Sequence, residues 1–231
     1  MGDRRAKDAL FEGFAGVAKA LSSGRRAELV DVLAQDERHV EGLALEIGQS
    51  VANTSHHLQG LAAAGLVVTR RERTRIYYRL ASGEVERLWA GVRAVARDHL
   101  DEMDELAIAY LGGRSAIEEI SQSELADQLD DGDVLVLDVR PVAEYVAGAR
   151  SIPIDELVSA MGEVPLGREV VAYSRGPYCG FAGDAVRLMH RRRQRVRRLQ
   201  DGFPEWRSMG LPVETGVDPQ GRSSVRARDR S

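Results

Sequence analysis

Asn53, Thr54, His56, His57 and Gln59 form a tight run of short, hydrogen-bonding side chains, and Arg70, Arg71, Arg73 and Arg75 follow soon after. Side chains that both donate and accept hydrogen bonds suit base edges in a major groove, and guanidinium groups suit phosphates. For such a readout the polar run must stand outward on a rigid element. Val51, Leu58, Leu61 and Ala62 fall at helical spacing and predict the buried side of a helix, which turns the polar residues to solvent. Gly65 predicts its stop. Leu66-Val67-Val68 then opens a strand, and residues 76–80 supply a second, so the arginines fall at the tip of a hairpin.

Upstream, Leu10, Phe11, Phe14, Val17, Ala18 and Leu21 keep helical spacing, Leu29, Val30 and Leu33 mark a second helix, and Val40, Leu43, Ala44 and Ile47 a short third one closed by Gly48. The order is that of a winged helix-turn-helix. After the hairpin, Ser82 is an N-cap with Glu84 and Glu86 in the first turn, and one long helix is expected over 82–111. Its stripe of Leu88, Trp89, Val92, Val95, Ala96, Leu100, Met103 and Leu106 is too long for the core of so small a domain. Such a stripe suits a partner chain, which predicts a homodimer through the first and last helices.

The 231 residues suit two domains of about 100 residues each. With 43% hydrophobic and 29% charged residues a core can form, and a net charge of −4 gives no global pull toward nucleic acid. Any such pull is local. No apolar run reaches the roughly 18 residues of a membrane span, and the N-terminus lacks a signal-peptide core. One cysteine excludes an internal disulfide framework, so a cytoplasmic protein without membrane association is expected.

Leu111-Gly112-Gly113-Arg114 breaks the helical pattern and predicts the seam between domains. Beyond it, residues 134–137 and 169–173 are short apolar runs typical of buried parallel strands, and helical stretches are expected over 123–129, 141–146 and 183–190. Alternating strands and helices predict an α/β layer fold. Residues 216–231 have almost nothing to bury and predict a disordered tail.

Residues 6–111 resemble the ArsR/SmtB family of dimeric bacterial repressors, most sharply in SVANTSHHLQGLAAAGL at 50–66. The resemblance implies that Gln49, Ser50, Asn53, Thr54, His56 and His57 approach bases or phosphates, with Arg71, Arg73 and Arg75 on the wing. A two-fold dimer would place its recognition helices roughly 34 Å apart on a pseudo-palindromic operator of double-stranded DNA. Many relatives sense metals. The stretch where one family site carries Cys-x-Cys reads Val40-Glu41-Gly42-Leu43-Ala44-Leu45 here, without sulfur, and the last helix offers Asp98, His99, Asp101, Glu102, Asp104 and Glu105 with one histidine. A carboxylate stripe is a poor transition-metal site. Neither a metal nor a cofactor is expected.

Residues 115–215 resemble a rhodanese domain, an α/β fold with a central parallel sheet. Asp138, Arg140, Glu144 and Tyr145 match its D-x-R-x-x-x-E-F/Y segment, and Gly202-Phe203-Pro204-Glu205-Trp206 with Gly210-Leu211-Pro212-Val213 matches its closing signature. Between them Ser174-Arg175-Gly176-Pro177-Tyr178-Cys179 falls where the family carries its sulfur-accepting cysteine. There a thiolate ringed by backbone N–H groups at a helix N-terminus has a lowered pKa and a stabilised persulfide. The six-residue loop is of the sulfur-transfer type, and the resemblance assigns Ser174, Cys179, Asp138, Arg140 and Arg175 to the reaction site and Arg175, Gly176, Tyr178, Cys179 and Gly180 to an anion loop. Ser174 stands in the cysteine's position, and a hydroxyl without a general base stays protonated. Two explanations fit: a natural pseudo-enzyme whose loop binds an anion, or a cysteine replaced by serine. Cys179 is a small buried residue or the partner of a thiol at 174. About four residues of the family's segment after Tyr145 are absent. Arg187, Arg191, Arg192, Arg193, Arg195, Arg197 and Arg198 form a cationic run, either a solvated helix end leading into an edge strand or an anion, protein or DNA contact.

The combination predicts a DNA-binding regulator, a repressor, whose rhodanese-like domain senses reactive sulfur or redox signals at the 174–179 loop and takes a sulfane-sulfur donor or small anion. The alternative is a sulfurtransferase inactivated by Ser174.

Overall fold

The computed structural model describes residues 3–112, 117–132, 134–140 and 144–215. The expected tail at 216–231, Gly113 and Arg114 of the seam, and residues 141–143 of the acidic-aromatic motif lie outside the described residues. The chain divides into two compact units, with the boundary between Ala94 and Val95.

The first unit opens on α1 (Arg4–Ala20), capped by the Asp3 carboxylate accepting from the Arg5 amide, and α2 (Gly24–Leu33). A two-residue strand β1 (Arg38–His39) leads into α3 (Val40–Glu46), where His39 Nδ1 accepts from the Gly42 amide. Gly48, at φ 62°, ends α3 in the left-handed region that glycine enters cheaply. The recognition helix α4 (Val51–Ala63) follows, with Ser50 Oγ accepting from the Asn53 amide at 3.2 Å. The hairpin β2 (Val67–Glu72) and β3 (Arg75–Leu80) pairs Val67 with Leu80 and Glu72 with Arg75, and β1 adds to β3, giving the antiparallel order β1-β3-β2. Leu29, Val30, Leu43, Leu58, Leu61 and Tyr78 build the core.

Two expectations change here. The inward stripe of α4 is Thr54, Leu58 and Leu61, whereas Val51 and Ala62, expected inside, are exposed. Val51 is the first residue of α4 and Ala62 lies in its last turn, so both fall outside the Thr54–Leu61 span that packs on the core. The single helix expected over 82–111 is two: α5 (Gly83–His99), which spans the unit boundary, and α6 (Met103–Leu111). The charges mark the break, with Arg97 and His99 in the last turn of α5 and Asp104 and Glu105 in the first turn of α6, as the helix dipoles prefer.

The rest of the second unit is an α/β layer. Strands β4 (Glu119–Ile120), β5 (Val134–Asp138), β7 (Arg150–Ser151), β8 (Glu169–Tyr173) and β9 (Val196–Leu199) form a parallel sheet in the order β4-β9-β8-β5-β7, and β6 (Glu144–Val146) pairs antiparallel with β10 (Val213–Thr215). Helices α7 (Gln122–Asp131), α8 (Gly180–His190) and α9 (Phe203–Ser208) complete it, α7 starting in a capping box between Ser121 and Glu124. The parallel sheet is as expected. The helix expected to end at residue 146 gives way to β6, because Val146 is fully buried and its amide donates to Tyr173 Oη at 2.9 Å. Strand β9 is interior rather than an edge, since β4 covers its free side. Two residues are too short a run to be legible as a strand.

Candidate functional site

The outward edge of α4 carries Asn53, His56 and Gln59 among the small residues Ala52, Gly60 and Ala63. Small neighbours let a helix backbone approach a base edge closely. Gln59 was absent from the contact set implied by the family resemblance; its place opposite the Leu58 and Leu61 stripe was the signal for it. Ser50 is exposed but occupied as the cap, Gln49 is half-buried with Nε2 donating to Gly48 O, and His57 is half-buried. Thr54 requires correction. It is 0% exposed and its hydroxyl donates to Ser50 O at 2.9 Å, so it sets the start of the helix and cannot reach DNA.

On the wing, Arg70 is spent internally. Its guanidinium pairs with Glu37 and Glu72 (2.5 and 2.7 Å) and lies 4.8 Å from the Tyr77 ring centre, and the hydrogen bonds to Glu37 and then Glu72 push its pKa further up. Arg71, Arg73 and Arg75 are exposed, and among the described residues none of the three makes an ion pair. Arg73, at φ 54°, holds the left-handed position at the hairpin tip, and Arg71 Nε donates to its carbonyl at 3.3 Å. The wing therefore presents three exposed guanidinium groups, a surface suited to phosphate.

In the second unit β8 ends at Tyr173, the 174–179 loop turns, and α8 begins at Gly180. Ser174 is 2% exposed and its carbonyl accepts from the Phe203 amide at 3.2 Å. No side chain among the described residues hydrogen-bonds its hydroxyl. Gly176 is buried, Tyr178, Cys179 and Gly180 are half-buried, and the Arg175 guanidinium lies 5.3 Å from the Phe181 ring centre. The loop is closed from below by Gly202: a Cβ there would come within 3.0 Å of the Arg175 and Gly176 backbone, a separation side chains do not tolerate. It is braced from the side by Arg198, 4% exposed, which donates to Pro177 O at 3.2 Å and pairs with Glu119.

Asp138 and Arg140 are corrected too. Both are 0% exposed and pair at 2.7 Å, Tyr173 Oη donates to Asp138 Oδ2 at 2.6 Å, and the Arg140 guanidinium lies 4.0 Å from the Phe203 ring centre. They form a buried clamp with Tyr173 and Phe203. Burial works against the Arg140 charge, yet the Asp138 carboxylate outweighs it and the pKa rises. Burial, then the Asp138 charge, hold the Tyr173 phenol well above its ordinary value.

The arginine run is not one patch. Arg187 pairs with Asp184, Arg192 donates to Met161 O, Arg197 binds Glu169 and Gln128, and Arg198 turns inward. Within β9 Arg198 is buried and Arg197 half-buried, whereas Arg191, Arg193 and Arg195, in the turn before the strand, are exposed. Among the described residues no group of three or more His, Cys, Asp or Glu side chains converges, and no helix is long and apolar enough to cross a membrane.

A polar helix edge with a cationic wing in one unit, and a loop closed by a glycine at the end of a parallel strand in the other, define a DNA-binding regulator carrying a rhodanese-like domain. Residues 23–69 match the arsR family of bacterial regulatory proteins and residues 121–209 match the rhodanese-like domain. The chain is 45% identical over 219 residues, 93% of its length and 95% of the relative's, to the HTH-type transcriptional regulator Rv0324 of Mycobacterium tuberculosis. It belongs to the ArsR family of transcriptional regulators, in the form that carries a rhodanese-like domain. It is also 33% identical over 91 residues, 39% of the chain and 75% of the relative, to the nodulation protein NolR of Rhizobium meliloti. Among solved structures, the homodimeric winged helix-turn-helix domain of Mb0332 from Mycobacterium bovis is 47% identical, spanning 44% of this chain and 93% of that one, with a TM-score of 0.41.

Proposed function

We propose that this regulator is a cytoplasmic repressor that binds a pseudo-palindromic operator as a homodimer, and that the 174–179 loop sets its DNA affinity in response to a sulfane-sulfur donor or a small anion. Residues 6–111 are the DNA-binding and dimerisation domain and 115–215 the sensing domain. The observation that carries the DNA reading is the pairing of Asn53, His56 and Gln59 on an open helix edge with three exposed wing arginines. Dimerisation through α1 and α5 is supported by Leu10, Phe11 and Phe14, each more than half exposed, and by exposed Leu88, Val92 and Val95. Apolar surface on that scale needs a partner.

The sensing reading rests on a rhodanese-type loop without the rhodanese nucleophile. A loop that cannot turn over can still hold a ligand against its amides. Cys179, the single thiol, is half-buried at the N-cap of α8. Its thiolate attacks the terminal sulfur of a persulfide RSSH, the S–S bond breaks, Cys179 becomes a persulfide and RS⁻ leaves. Leu111, at the end of α6, packs against the first residue of α8, its Cδ2 3.6 Å from where a Gly180 Cβ would sit, so a change at the loop has a physical route to α6. The response is a population shift between forms of different DNA affinity.

The rival reading, sulfur transfer, is favoured by the glycine-closed loop and opposed by Ser174. Gel-shift on the chain's own promoter, with and without an organic persulfide, tests the regulator; no shift by wild type, or equal binding after Arg71, Arg73 and Arg75 become alanine, refutes the helix-and-wing interface. A thiosulfate–cyanide assay on the chain and on Ser174→Cys tests the enzyme. Turnover by the serine form would remove Ser174 from the nucleophile position.

A further inference from the structure

Arg191, Arg193 and Arg195 are exposed within five residues, and among the described residues none makes an ion pair. In a chain of net charge −4 this is a local exception, not a share of a general excess. The helix dipole accounts for the cations in the last turn of α8, Arg187 and His190, but its influence does not extend to Arg193 and Arg195. The turn is also rigid. Gln194, 6% exposed, donates its side-chain amide to Pro165 O and Arg168 O, the Arg193 amide donates to His190 O, and the Val170 amide donates to Arg195 O. Arg193 sits at φ 57°, a left-handed conformation that glycine would adopt at lower cost. Three exposed arginines thus extend from a backbone held in place, and among the described residues none of their side chains has an ion-pair partner.

We propose that the 191–195 turn is a second nucleic-acid surface, which takes backbone phosphates of the duplex flanking the operator. The inference rests on the DNA-binding reading. Guanidinium groups match phosphate oxygens by bidentate hydrogen bonding, and the partner class of this regulator is DNA. Because such contacts carry no sequence information, they add affinity and salt dependence without changing the operator that α4 selects.

The test measures affinity against salt for wild type, the Arg191→Gln/Arg193→Gln/Arg195→Gln variant and the corresponding triple lysine variant. Two duplexes are used, the footprinted operator alone and the operator extended by about two helical turns on each side. Each lost phosphate contact flattens the log–log salt slope by about 0.9, so three lost contacts lower the slope on the long duplex by roughly 2.7. Between 50 and 200 mM salt, wild type then loses roughly 40-fold more affinity than the glutamine variant on that duplex. The lysine variant keeps the wild-type slope, and on the short duplex the glutamine variant equals wild type. Equal slopes for wild type and the glutamine variant on the long duplex overturn the proposal, as does an equal loss on both duplexes, which would place the effect on the operator. Failure of wild type to bind either duplex instead refutes the DNA-binding reading itself.

Discussion

Gly202→Ala isolates the closure of the 174–179 loop. The added methyl would meet the backbone carbon and oxygen of Arg175 and the nitrogen of Gly176 within 3.0 Å, and neither side is a flexible chain end. On one side stands the loop, tied by the Phe203 amide to Ser174 O at 3.2 Å. On the other stands the start of α9, where the Gly202 amide donates to Glu205 Oε2 at 3.1 Å and the Trp206 amide to Gly202 O at 3.2 Å. One of these anchors must yield. Overpacking of this kind costs about 1–3 kcal/mol, and loss of the Phe203–Ser174 bond adds about 1 kcal/mol. For a domain of about 100 residues, roughly 2–4 kcal/mol corresponds to a drop of roughly 10–20 °C in midpoint. Calorimetry of the full chain should show that drop in the rhodanese-like transition alone, with DNA affinity in the absence of signal unchanged. In the Ser174→Cys background, where thiosulfate turnover reports loop geometry, the same alanine should lower turnover by roughly 100-fold, the cost of a displacement near 1 Å. If alanine at 202 leaves both midpoint and turnover at parental values, the close approach is not a feature of the folded protein.

Three further outcomes follow from particular residues. Asn53→Ala should weaken operator binding by about 1–3 kcal/mol, whereas Thr54→Val, which removes only the buried bond to Ser50 O, should leave affinity nearly unchanged and shift stability by at most about 1.5 kcal/mol; matching losses in a fluorescence-anisotropy titration would contradict the burial of Thr54. Tyr173→Phe deletes a buried hydroxyl that donates to Asp138 and accepts from the Val146 amide, so urea unfolding should register a loss of about 2–4 kcal/mol in the second unit, and a variant as stable as wild type would show that the clamp is not needed. Glu124 is held below the ordinary carboxylate range, first by the Ser121 hydroxyl and then by the Ser121 amide. A depressed folded pKa means that this stability is fully present above the unfolded value and is lost as pH falls through the lower folded value. Ser121→Ala should therefore narrow the stability difference between neutral and acidic solution, measured as the change in urea midpoint, and an unaltered pH profile would rule the capping box out as its source.

Much of the fold is legible in the sequence. Local grammar decides it: the short apolar runs at 134–137 and 169–173 read as buried strands, Gly48 and Gly65 as helix stops, and the arginines after Val68 as the tip of a hairpin. The two domain types were legible through motifs whose residues are close in sequence. What failed was each inference that depended on which side of an element the rest of the chain would cover. Thr54 reads as a polar, outward residue until the fold leaves Val51 and Ala62 exposed and turns Thr54 inward with Leu58 and Leu61. Asp138 and Arg140 read as reactive charges until Tyr173 and Phe203, distant in sequence, close over them. The arginines of 187–198 read as one patch until β4, only two residues long, lies down beside β9 and leaves Arg198 inside. Backbone propensity and hydrophobic period act over a few residues, so the sequence by itself determined the elements and their order. The burial of a side chain is a sum over neighbours brought from far along the chain, and only the tertiary structure decided which polar groups face a ligand and which hold the fold.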